Sequence, residues 1–355
     1  MLIIMLHLST LGYTPNPLIN RYQNAFLEKL KNIWKVEIGW DIPPDDFLLY
    51  PDIHGLLLAS VRIWSANHID FLQEVKVQYA QYILEWWVHH IDPLEIIAGT
   101  KISLTMEFAN PDIDKHTHPD HKTISMGYTE KTPWEWRKLF WDAFAIVAQV
   151  SPGFMDEINL LLRKIIPFGL SVWWHNSGSY GDVIGHIIMS YPIDIDSPEI
   201  AVLEAILHEY NHNKINLIMQ TEKLILSDMR EQYYSPYRPD PRHIHGIYLG
   251  IHALAGAYWV IWQAHIAGIL ELSPHWQEKA VLYTLKNGLS LQILDKYASL
   301  TPLGKELLEE MRSVHKECLD CIKKSNFSKE MMDRVKSALM SHYHTAKIQH
   351  PSIRS

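Results

Sequence analysis

Between Gly246 and Leu270 the chain carries no Asp, Glu, Lys or Arg. A run of that length and polarity must leave water, either inside protein or inside a bilayer. Three polar residues, His252, Gln263 and His265, fall within it, no cluster of Lys and Arg flanks it, and no second such run occurs. Those features favour a protein core over lipid. The run predicts a long helix buried on all sides, around which the rest of the fold must pack. With 355 residues, 47% of them hydrophobic, the chain has the apolar material to do so.

The surrounding pattern predicts a mainly α (α+β) protein: a helical N-terminal region, then a helix-rich domain with a small β-hairpin or sheet. From Asn20 to about Ile97 apolar residues recur at three- and four-residue spacing, punctuated by Pro43, Pro44, Pro51 and Pro93. The opening "MLIIMLHL" lacks the basic start and cleavage site of a signal peptide and reads as a first strand or helix. A polar stretch from Ala109 to Thr123 sets a boundary between residues 1–125, a candidate peptide-recognition region, and residues 126–345. Helices are expected in "PWEWRKLFWDAFAIVAQV" and "PGFMDEINLLLRKIIPFG". "LSVWWHNS" and "VIGHIIMSYP", joined by the Gly/Ser-rich "GSYGD", read as a hairpin. A further helix begins after Asp196 or Ser197 as N-cap, with Pro198 in its first turn, and "TEKLILSDM" reads as a second helix or its continuation. Long helices follow from Ile244 to about Leu270, from Pro274 to about Tyr297, and through the charged C-terminus.

A formal net charge of −8 gives nucleic acid and anionic membrane surfaces no attraction to the chain. Cys318 and Cys321 form a lone C-x-x-C in a helical run, without the βαβ setting of a redox motif or the further ligands of a zinc site. They are expected to be reduced thiols in a cytoplasmic protein. No glycine-rich phosphate cradle and no nucleophile elbow occurs.

Chemistry is concentrated in "LEAILHEYNHNKIN". Residues four apart on a helix share a face, so His208 and His212 can direct both imidazoles at one metal ion, with Glu209 to one side. A third ligand must come from elsewhere. Glu222 and Glu231 are candidates, as in thermolysin-like enzymes. His252 is another, because a lone imidazole inside an uncharged helix is costly unless it has a partner. His245 lies on the same helix. Downstream, Pro236, Pro239 and Pro241 frame Arg238 and Arg242 in "YYSPYRPDPRHIHG". A backbone set in advance by prolines presents a guanidinium fork to a carboxylate at low entropic cost, whether that carboxylate belongs to a substrate or a cosubstrate.

Four segments in order, "IIMSYP" (Ile187 to Pro192), "HEYNHNKI" (His208 to Ile215), "YSPYRPDPR" (Tyr234 to Arg242) and "GIYLGIHALAGAYW" (Gly246 to Trp259), resemble the HExxH-motif peptide-modification family of clusters that make ribosomally synthesised, modified peptides. The likeness extends from about Trp134 to Leu270. It implies a non-haem Fe(II), 2-oxoglutarate-dependent oxygenase that uses O2 to hydroxylate the β-carbon of a residue in a precursor peptide. It also implies that His208, His212 and His252 hold the iron, that Arg238 or Arg242 pairs the distal carboxylate of 2-oxoglutarate, and that Glu209 orients a histidine or a water. The competing expectation is a Zn(II) peptidase with Glu209 as general base, and a third is a binding protein without turnover. His116, His118 and His121 read as part of a solvated loop, and Trp86, Trp87, Trp173 and Trp174 as core residues.

Overall fold

A computed structural model of the chain describes residues 17–38, 44–50, 53–54, 57–58, 95–96, 100, 102–104, 133–168, 177–192, 195–351 and 353. The opening "MLIIMLHL", the four tryptophans Trp86, Trp87, Trp173 and Trp174, and the loop with His116, His118 and His121 lie outside them. The described chain is mainly helical with one small sheet. Helices α1 (Pro17–Ile33), extended by a π-helical turn to Ile38, and α2 (Asp45–Leu48) precede two short strands, β1 (Glu95–Ile96) and β2 (Ser103–Leu104). Then come α3 (Pro133–Val150), α4 (Pro152–Leu161), β3 (Lys164–Phe168), β4 (Ser177–Tyr180) and β5 (Val183–Ser190). Five helices complete the chain: α5 (Pro198–Met219), α6 (Ile244–Ile266), α7 (Pro274–Tyr297), α8 (Pro302–Lys324) and α9 (Lys329–Gln349).

The uncharged run is α6. It passes the length and hydropathy test for a membrane span, yet 78% of its most apolar window is buried inside the protein. Its neighbours are α5, α7 and α8. Ser273, Thr301 and Ser328 each accept a hydrogen bond from a backbone N–H in the first turn of α7, α8 and α9, which explains why these helices start where they do.

The sheet runs in the order β1-β2-β3-β5-β4. Strands β2, β3 and β5 are parallel, whereas β1 pairs with β2 and β4 pairs with β5 in antiparallel sense. Apart from Ser177 the expected first strand, "LSVWWHNS", lies outside the described residues, and the described hairpin pairs β4 with β5. The turn is only Gly181 and Asp182, between Tyr180 and its partner Val183, and the Gly/Ser-rich segment is itself strand β4. Two other expectations need correction. The helix expected over "PGFMDEINLLLRKIIPFG" ends at Leu161, and Lys164–Phe168 is a strand because Ile165 and Ile166 fill a central sheet position. "TEKLILSDM" is not helical: Ile225 bridges Leu300, and the Leu224 carbonyl accepts from Thr301 at the start of α8.

Gly185, in β5, has φ of +87°, and a Cβ there would sit 2.6 Å from the Leu161 carbonyl oxygen. Only glycine fits both the backbone and the approach of α4's end. Helix α5 lies between β4 and β5 on one side and α6 on the other, with α1, α3 and α4 also packed on it. The described N-terminal elements thus share the sheet and the packing of the helix that carries His208 and His212.

Candidate metal centre

Because α5 is enclosed on both sides, Lys214, Asn213, Asn211 and Tyr210 are buried, and their partners fix the helix. Lys214 and Glu157 of α4 are both fully buried and pair at 2.7 Å, while the Tyr210 hydroxyl donates to the same carboxylate oxygen at 2.6 Å. Asn213 accepts from the Gly185 N–H at 2.6 Å and donates to the His186 and Glu209 carbonyls, each at 3.0 Å. Asn211 donates to the Ala253 carbonyl of α6 at 3.2 Å. These contacts fix the rotation and height of α5, and so the direction of the side chains on its remaining face.

That face carries Glu204, His208 and His212, one helical turn apart. The two imidazoles stand edge to face, and their Nε2 atoms are 3.1 Å apart. Burial holds both below the ordinary histidine range, each at about 4, so both rings are neutral and offer lone pairs. Metal–nitrogen bonds of about 2.1 Å place neighbouring ligand atoms roughly 3 Å apart, so this pair fits one ion without rearrangement. Among the described residues no set of three His, Cys, Asp or Glu side chains converges on one point.

Glu209 is 4% exposed and is held from the sheet side. Ser177 donates to one carboxylate oxygen at 2.8 Å and Ser179 to the other at 2.6 Å, and the nearer oxygen is 4.0 Å from His208 Nε2. Strand alternation in β4 is what puts both serines on the same side.

The histidines open into a cavity of about 670 Å³ whose lining includes Ser177, Arg238, Arg242, Leu249, Leu254 and Lys279. The proline-framed loop thus reaches the same cavity as the histidine pair. It is closed at its base by a bridge in which Tyr233 and Arg242 exchange backbone hydrogen bonds of 2.7 and 2.9 Å. Asp240 pairs with Arg242 at 2.8 Å and lies 3.7 Å from Arg238. Arg242 thus lines the cavity with its guanidinium already paired through Nη2, while its Nε–H is buried, without a hydrogen-bond partner among the described residues.

None of the four candidates for a third ligand joins the pair. Glu222 lies near Arg21 at 3.6 Å and, with His245, lines a separate cavity. Glu231 accepts from the Tyr233 hydroxyl. His252 is fully buried but lies on the face of α6 that carries Tyr248 and Trp259, whose side chains donate to Gly304 and Glu317 of α8. Of the α6 residues lining the cavity, Gly246, Gly250 and Leu254 lie on the other side of the helix from His252, and Leu249 lies at the edge between them. The expected ligand role of His252 therefore finds no support in this arrangement.

Several lining residues carry no motif. Glu204 was readable as the residue one turn before His208. It accepts from the Tyr258 hydroxyl and from Lys279, each at 2.5 Å, and Lys279 lies 4.3 Å over the Trp276 ring. Lys279 and Tyr283 come from α7, and nothing in their local sequence marks them. Neither a scan against protein-family models nor a search of curated proteins returns a match to this chain.

Proposed function

We propose that the protein is a metal-dependent oxygenase that takes a 2-oxo acid as cosubstrate and a peptide as substrate. His208 and His212 are the protein ligands of an Fe(II) ion, and the loop with Arg238 and Arg242 receives the distal carboxylate of 2-oxoglutarate. The observation that carries this reading is that one cavity is lined by both the converging imidazoles and the two arginines of the proline-framed loop. Its volume lies within the range of sites for small ligands, about 300–1,000 Å³. Bound there, Fe(II) would supply the activation of O2 that hydroxylation of an unactivated carbon requires.

The chain's own residues do the positioning. Neutral imidazoles donate lone pairs, Arg242 offers a charge-assisted hydrogen bond to a carboxylate, and Leu249 and Leu254 give the floor an apolar surface that limits water. Glu209, with both oxygens engaged by serine hydroxyls, keeps the β4 edge in register with the histidines. The choice of a ribosomally made precursor peptide, hydroxylated at a β-carbon, rests on the resemblance of the four sequence segments.

One observation favours a second reading. The carboxylate of Glu209 is 4.0 Å from His208 Nε2, close enough to serve a water on a zinc ion in a peptidase. The two readings separate in one assay. With Fe(II), ascorbate, 2-oxoglutarate and a candidate precursor peptide, the oxygenase adds one oxygen to the peptide and forms succinate. Cleavage of the peptide with zinc and no cosubstrate would replace the oxygenase reading with the peptidase.

A further inference from the structure

The arginine loop meets the helical core through several side chains, one of which lines the cavity beside the arginines. Tyr237, midway along the loop, lies over Gly250 of α6 and donates its hydroxyl to the Asn287 side chain of α7 at 2.6 Å. Gly250 has to be glycine for this to happen: a Cβ at that position would meet the tyrosine ring at 2.9 and 3.1 Å, against atoms of a rigid aromatic that cannot move aside as a flexible chain end would. Asn287 is 1% exposed, so the hydroxyl reaches into the core rather than into solvent. Arg238 is the next residue in the chain, and Arg242 closes the loop through its bridge to Tyr233. Tyr234, at the near end, packs against Tyr343 and its hydroxyl lies 2.9 Å from His342 Nδ1, both in α9. Among these attachments of a ten-residue loop rich in proline, the Tyr237 attachment is the one next to Arg238 that also lines the cavity.

We infer that Tyr237 is a positioning residue for anion binding: seated on Gly250 and bonded to Asn287, it fixes where Arg238 and Arg242 present their guanidinium groups to a carboxylate in the cavity. The cosubstrate part of this inference rests on the oxygenase reading; the seating itself does not. A preset fork loses less entropy on binding than a mobile one, so the effect belongs in carboxylate affinity and not in metal affinity. Its hydroxyl bonds to α7 rather than to α5, and the α5 contacts of Lys214 and Asn213 are made with other elements.

The test uses the full chain and two variants. Tyr237→Phe keeps the ring and removes the hydrogen bond; Gly250→Ala keeps the bond's partners and displaces the ring. Hydrogen exchange on the metal-free protein reads the seating directly. Both variants are expected to lose protection at the amides of Tyr233 and Arg242 while the α5 amides keep theirs. Calorimetry on the Mn(II)-loaded protein reads its consequence: 2-oxoglutarate affinity falls about tenfold in Tyr237→Phe, the loss expected for one hydrogen bond, with Mn(II) affinity unchanged. Unchanged exchange at Tyr233 and Arg242 in both variants overturns the inference. Equal losses of metal and 2-oxoglutarate affinity overturn it as well, because they indicate general loosening of the fold. If the parent protein binds no 2-oxoglutarate, the oxygenase reading fails while the exchange result still decides whether Tyr237 seats the loop.

Discussion

A histidine's surroundings, more than its spacing, separate the roles of imidazoles in this chain. His208 and His212 meet at 3.1 Å beside a cavity, whereas His186, on β5, is 1% exposed and neither ring nitrogen has a hydrogen-bond partner among the described residues. Burial, aided by the nearby Lys164 ammonium, pushes His186 down to about 3. A folded-state value below that of the unfolded chain means the fold tolerates only the neutral ring. Stability from this residue is complete above pH 6.5 and falls as the pH drops from there toward 3, where only the unfolded chain takes up the proton. The loss approaches ~1.4 kcal/mol per pH unit within that window. His186→Leu should therefore make the decline of the melting temperature between pH 6.5 and 4.5 less steep in thermal melts run beside the parent protein, the remainder belonging to other depressed histidines such as His208 and His212. An equally steep decline in the variant would place the titration elsewhere.

At the next scale, α5 works as a metal helix because its other faces are fixed by buried polar contacts. Lys214→Met leaves the Glu157 carboxylate buried without its cation and should cost about 3–5 kcal/mol in denaturant unfolding. The double change Lys214→Met with Glu157→Leu should recover most of that, since an apolar pair of similar volume replaces the ion pair. Gly185→Ala should destabilise by about 1–3 kcal/mol, from the strained backbone and the contact with the Leu161 carbonyl. The sequence made some of these elements legible and hid others for identifiable reasons. The start of helix α7 was legible from Pro274, and the structure adds Ser273, whose side chain accepts from the Trp276 N–H. "RKIIPF" and "TEKLIL" carry a helix-like pattern yet are not helical, because the partners that fix them lie far along the chain. Lys164 and Ile165 gain β2 and β5 as neighbours, and Leu224 gains Thr301. Gly178 to Tyr180 of β4 belong to the segment expected as a turn, since Gly178 and Ser179 are turn formers and the contact of Ser179 with the Glu209 carboxylate is remote in sequence.

For the molecule as a whole, the uncharged helix α6 is the organising element, and the cavity forms where α5, α6, α7 and the arginine loop meet. The histidine pair and the arginine loop were legible because each carries a local pattern. Their meeting in one cavity was not, nor was the side of α6 on which His252 falls, because helical periodicity relates residues to one another without saying which face meets α5. Since α5 sits between the sheet and α6, an ion on His208 and His212 should stabilise the entire fold. Metal at a hundred times its dissociation constant adds about 2.7 kcal/mol, and a chelator should lower the melting temperature of the parent protein but not of His208→Ala. The most direct test of the central claim is anaerobic calorimetry of 2-oxoglutarate binding to the Fe(II)-loaded protein. Binding should require the metal, vanish in His212→Ala and weaken at least tenfold, on the order of one charge-assisted hydrogen bond, in Arg242→Ala. Binding that persists without metal, or is undiminished in Arg242→Ala, would contradict the assignment of this cavity to a metal-chelated 2-oxo acid held by the arginine loop.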